Sequence, residues 1–210
     1  LARVFLIKES SFSAYLKGSY TPTATKNTLL SDSSGTSVTL DSEFKTNMSG
    51  EFGFIYGSEI VNFRFGIEVV SPANIKDVKG SDAAGNELYS VNSEVSVVVP
   101  KVGIEFTFKR WNTSRMILYA GAGSTSLVGR NSYVFTTAGT TQFGLADYYE
   151  DLRASSTMYE GSMGFEGLLA DTTTYLFEAG YRSMNFTTVK HNRDVSTLTG
   201  TVAKGDAAKN

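Results

Sequence analysis

The residues with the most chemical potential in this chain are charges recurring on one side of alternating segments. Lys17, Arg64, Lys101, Lys109 and Arg182 stand against Glu51, Glu68, Glu105, Glu160, Glu166 and Glu178. Gathered inside a narrow enclosure, so nearly neutral a set is expected to pair into salt bridges and fill the space. Rearranging pairs among Arg64, Glu68, Glu105 and Arg182 would instead open a narrow, gated water path. Acid–base catalysis needs a base held beside an orienting partner, and the only histidine is His191, in Val189-Lys-His-Asn-Arg. It falls on a polar stretch without strand pattern or partner, so a solvated loop histidine and no catalytic residue are expected. Glu160 and Glu166 share a face, but six residues of strand hold them about 20 Å apart, too far to share a substrate atom. Asp147-Tyr-Tyr-Glu-Asp151 offers carboxylates for weak cation binding, yet its composition suits a solvated loop tip. No metal or cofactor is expected.

The elements that position these charges follow from composition and period. The chain has 210 residues, one domain's worth of material, and balances 19 Lys and Arg against 21 Asp and Glu. That balance gives no electrostatic footprint for nucleic acid. There is no cysteine, which removes disulfide frameworks and thiolate zinc sites. No run approaches the ~20 apolar residues that a membrane-spanning helix needs. Residues 1–7 lack the basic start, apolar region and cleavage site of a signal peptide, so an exported protein is expected to be in its mature or trimmed form.

Three prolines and 20 glycines, with abundant Tyr and Phe, favour strands and turns. In residues 62–70, Phe63, Phe65, Ile67 and Val69 oppose Asn62, Arg64, Gly66 and Glu68, the period of a two-faced strand. The same alternation recurs in residues 11–20, 47–56, 101–109, 115–124, 159–169 and 175–184. Each segment is near the ~9 to 11 residues with which a tilted strand crosses a bilayer. Short connections (57–60, 110–114 and 170–174) alternate with long polar ones (21–46, 71–94, 125–157 and everything after 186). Short periplasmic turns and long external loops are the habit of outer-membrane barrels. The expected fold is therefore all-β, an antiparallel up-and-down transmembrane β-barrel of about eight strands, seven of them clear. A soluble lipocalin-like barrel is the rival, with the same alternation turned inside out.

Residues 1–10 are expected as a periplasmic segment and residues 11–210 as the barrel. An eighth strand is needed because an open edge in lipid leaves backbone groups unpaired. Residues 195–202 are a poor candidate, so the expectation is a closing strand beyond Asn210. Tyr20, Tyr56, Trp111, Tyr119, Tyr159, Tyr175 and Tyr181 fall near segment ends, where amphipathic rings favour the membrane interface. The connection 125–157 carries Tyr133, Phe135, Phe143, Tyr148 and Tyr149, and is the expected contact surface.

Ala120-Gly-Ala-Gly123 and Phe177-Glu-Ala-Gly-Tyr-Arg-Ser-Met-Asn-Phe186, joined by short turns, resemble the small OmpA-like outer-membrane barrels. Arg3-Val-Phe-Leu-Ile-Lys-Glu-Ser-Ser-Phe12 is similar to outer-membrane β-barrel domain proteins of deltaproteobacterial and Bdellovibrio-like bacteria. The pattern spans residues 3–187 and departs from the family in lacking a terminal aromatic. The resemblance implies an outer-membrane address among lipid and lipopolysaccharide, and a non-enzymatic anchor or adhesin-like role that engages an envelope or surface partner. A narrow pore is the alternative, and a lipid-modifying enzyme a remote one.

Overall fold

The computed structural model describes residues 2–4, 12–22, 46–82, 84–171, 173–184, 186, 188–198 and 200–208. The described residues are all-β apart from one short helix. β1 (Ala2–Val4) is followed by β2 (Phe12–Pro22), β3 (Thr46–Gly57), β4 (Val61–Ser81), β5 (Glu87–Arg110) and β6 (Ser114–Phe135). Then come α1 (Thr137–Phe143), β7 (Tyr148–Ala170), β8 (Thr173–Met184), β9 (Lys190–His191), β10 (Val195–Thr197) and β11 (Gly200–Val202).

Each strand from β2 to β8 pairs antiparallel with the next in sequence, giving one curled sheet. β1 pairs on one side with β2 (Ala2 opposite Leu16) and on the other with β8 (Ala2 opposite Tyr175). The strand lying between β2 and β8 thus comes from Ala2–Val4, inside the segment that sequence analysis places ahead of the barrel. Residues 195–202 fold instead into the separate β10–β11 hairpin, because Ser and Thr supply too little apolar surface for the outer face of the main sheet. Contact with β1 covers only residues 14–16 of β2 and 173–175 of β8.

Period two sorts the side chains. Leu16, Phe52, Phe63, Phe65, Ile67, Val102, Ile104, Phe106, Met163 and Phe177 lie exposed on the outer face, while Glu51, Arg64, Glu68, Lys101 and Glu105 are buried on the inner face. That distribution is the reverse of a water-soluble barrel, whose apolar residues point inward. The inner face accepts bulk only where glycine makes room. Tyr15 lies across Gly53 and Gly66, and a Cβ at Gly66 would come within 2.3 Å of the Tyr15 hydroxyl. Tyr119 lies across Gly103 and Gly121 in the same way.

β3–β4, β5–β6 and β7–β8 turn within two or three residues at one end of the sheet. Ser58 N–H donates to Val61 O and Trp111 N–H to Ser114 O, both at 2.8 Å, closing two of these turns. The other end differs from expectation. Residues 71–94 and 125–157 are mostly continuing strand, so β4 to β7 run for 21 to 24 residues against 11 or 12 for β2, β3 and β8. The ladder continues through these more polar stretches, and bulges after Val70 and Ile75 bend it.

Candidate functional site

The inner face of the lower half holds one connected polar network. Lys17, Glu51 and Glu68 are in register across β2, β3 and β4. Two carboxylates directly opposite each other repel, and Lys101 on β5 answers both. Its Nζ lies 2.8 Å from Glu51, 3.0 Å from Glu68 and 2.8 Å from Glu160 of β7. Arg182 of β8 reaches across the interior to grip Glu68 with two nitrogens, at 2.9 and 2.7 Å, and touches Glu160 at 2.9 Å.

Arg64 is the second hub. Its guanidinium donates to Glu105 through Nε at 2.9 Å and to Glu178 through both terminal nitrogens, at 3.2 and 2.8 Å. Lys17 joins the same Glu178 at 2.7 Å. The guanidinium also stacks 4.2 Å from the ring centroid of Tyr119 and 5.4 Å from that of Tyr15, whose hydroxyl donates to Glu51. Apolar side chains bracket the network: Val99 and Met158 toward the long-strand end, Ile117 and Leu176 toward the turns, all fully buried. Pairing between these apolar layers sets four cations against five carboxylates.

Ten of the eleven charges singled out in the sequence face this interior. Glu166 forms its own small group, taking Arg115 Nε and the Thr174 hydroxyl, each at 2.6 Å. Lys109 is the exception: it is exposed, with Nζ 5.2 Å over the Trp111 ring. The bulge between Thr107 and Lys109 shifts the register by one residue and turns this side chain out of the interior. Tyr15, Tyr119 and Arg115 belong inside and were not singled out for that role. Their signal was parity with Lys17, Ile117 and Glu105, obscured by treating aromatic rings as outward.

The aromatics divide accordingly. Tyr119, expected at the interface, is buried in the interior. Tyr56, Trp111 and Tyr175 lie on the outer face near the turns, and Tyr20, Tyr159 and Tyr181 on the outer face farther up. From Tyr175 to Tyr181 is six residues, about 20 Å along the strand.

Beyond this zone the long strands build a second core. Leu88, Tyr89, Val91 and Tyr133 are buried together, with Phe135, Phe143, Tyr148 and Leu198 packed on them. Four of the five aromatics expected as a contact surface are therefore mutual packing partners, with Tyr133 and Tyr148 stacked at 4.6 Å. Tyr149 alone is exposed, since its parity on β7 is the opposite of Tyr148. α1 seals the cluster. Thr136 caps it by accepting from Gly139 N–H, and a Cβ at Gly139 would collide with the Leu88 carbonyl.

His191 is correspondingly not a solvated loop residue. It pairs with Leu152 on β9, is buried, and its Nδ1 has no hydrogen-bond partner among the described residues. Burial lowers its pKa and so favours the neutral imidazole. The three carboxylates of residues 147–151 diverge. Asp147 accepts from Phe135 N–H, Asp151 pairs with Arg130, and Glu150 turns inward toward Asn131.

Burial raises the Glu150 pKa above its ordinary 4.5, opposed only by the Asn131 hydrogen bond. A group with a raised folded-state pKa adds stability at low pH that is lost as pH rises through the folded value. Glu150→Gln is therefore expected to raise the melting temperature of the upper cluster at pH 7. The gain should vanish below pH 4.5, where the wild-type carboxyl is protonated in both states. Near-UV circular dichroism melts at the two pH values check this, and an equal effect at both would contradict it.

Above β1, between β2 and β8, a cavity of about 580 Å³ is lined by Lys17, Glu160, Glu178 and Arg182 from the inner face and by Tyr20 and Tyr181 from the outer face. Its polar groups are those of the ion network. Comparison of the chain with protein-family models, with curated proteins and with solved structures finds no match.

Proposed function

We propose that this chain is a small OmpA-like β-barrel of the bacterial outer membrane, closed at its base through β1, that anchors a rigid external platform and neither conducts solutes nor performs catalysis. One observation carries the reading: the lower half pairs an apolar outer face with a charged, ion-paired inner face. Lipid solvates the first, whereas water would expose it at great cost. The aromatics near the turns and those farther up then form the two interfacial girdles. The platform is the upper β4–β7 sheet with α1 and the β10–β11 hairpin, held by its own aromatic core.

The anchor is favoured over a pore because salt bridges link the charges across the interior between buried apolar side chains. Folded protein in detergent is expected to migrate faster on a mildly denaturing gel before boiling than after. It should need detergent for extraction and stay silent in planar bilayers. Release as a monomer by salt alone would refute the membrane reading. Discrete channel openings altered by Arg64→Ala would refute the anchor and favour the gated pore.

A further inference from the structure

Above the apolar zone, the outer face of β6, β7 and β9 and the loop after β9 bring together Arg130, Arg153, Lys190 and Arg193, with Asp151 and Glu94 in register beside Arg130. Arg153 and Lys190 are directly opposite each other across the β7–β9 pair, both exposed, and neither has an ion pair among the described residues. Like charges placed opposite one another on a sheet face destabilise it. Nearby, Arg130 and Arg193 converge on one exposed ring, their guanidinium carbons 4.6 and 4.0 Å from the Tyr149 centroid. Asp151 balances Arg130 at 2.8 Å; Arg193 has no ion pair among the described residues. The ring holds both guanidiniums in place by cation–π contact, so less side-chain entropy is lost when an anion binds.

We propose that Arg130, Arg153, Lys190 and Arg193 form a binding surface for the phosphate groups of a membrane glycolipid's saccharide headgroup, an inference that rests on the membrane reading above. Height selects this source. Arg153 stands six residues beyond Tyr159, the last large outward aromatic of β7 before the polar zone, about 20 Å along the strand and roughly 15 Å vertically for a tilted strand. A glycerophospholipid places its phosphate at the level of the girdle, below these cations. A phosphorylated saccharide rises to meet them. Planar guanidiniums suit bidentate phosphate contact, and the ammonium of Lys190 adds a point charge.

The test is native mass spectrometry of the protein in micelles doped with a phosphorylated lipopolysaccharide-type glycolipid, with its dephosphorylated form, or with a soluble sugar phosphate. The comparison variant is Arg153→Ala with Lys190→Ala. Wild type is expected to retain the phosphorylated glycolipid, with roughly tenfold weaker retention for the variant and for the dephosphorylated lipid. Raised salt should weaken wild-type retention. The variant should keep heat-dependent gel migration and melt no lower than wild type, since a like-charge pair has been removed. Equal retention by variant and wild type would overturn the site, and equal binding of the soluble sugar phosphate would overturn the lipid source. Loss of heat-dependent migration in wild type would instead defeat the membrane reading, so the two failures are distinguishable.

Discussion

Arg64→Ala is expected to lower the unfolding free energy by about 3–5 kcal/mol, the scale for removing one partner of a buried ion pair. Glu105 and Glu178 both accept from this guanidinium, and Lys17 also reaches Glu178. Tyr119 would also lose the cation over its ring. Arg64→Lys should recover only part of the loss, because one ammonium cannot grip two carboxylates in the plane of a fork or stack on the ring as a guanidinium does. Pairing Arg64→Met with Glu105→Gln should cost less than Arg64→Ala alone, since one of the two carboxylates that Arg64 neutralises is removed with it. Urea unfolding in lipid vesicles, followed by Trp111 fluorescence and gel migration, gives all three values. A loss below about 1 kcal/mol for Arg64→Ala, the size of an exposed pair, would mean that water solvates the network and would reopen the pore.

The outer face was legible because period two is a strong signal wherever one side is apolar and the other polar: Phe63, Phe65, Ile67 and Val69 need no tertiary information to be grouped. The interior charges were legible for the same reason, until a bulge shifted the register at Lys109. Tyr15 and Tyr119 were illegible in role, because a ring with a hydroxyl suits either face and its place depends on glycines of other strands, Gly53 and Gly66 or Gly103 and Gly121. The upper strands were illegible because they carry polar residues outside and only a small aromatic core inside. Their alternation is muted, and they resemble loops by composition. β1 was hidden by length, since three residues carry no period, and its partner Tyr175 lies far along the chain. The patch around Tyr149 escaped notice because Arg130, Arg153 and Lys190 sit on three different strands and Arg193 on the loop after β9.

The placement of the apolar band leads to the second large effect, which separates the two solvents the outer face could have. Val102→Lys is expected to destabilise the protein in lipid vesicles by about 2–4 kcal/mol, the cost of a lysine on the lipid face near the bilayer midplane. Val102 is exposed on the outer face of β5, in register with Phe65 on one side and Ala122 on the other, between Trp111 at the turn and Val98 above. The inner face at this level is taken up by Lys101 and its three carboxylates, so a side chain at position 102 cannot be accommodated by turning inward. The same change at Val128, exposed on the outer face of β6 in the polar zone above, should cost less than about 1 kcal/mol, because the penalty falls toward and beyond the interface. A water-soluble barrel predicts the opposite pattern: lysine at either position would be neutral or improve solubility. Reversible unfolding of both variants in vesicles settles the contrast, and equal small effects at positions 102 and 128 would remove lipid as the solvent of this face.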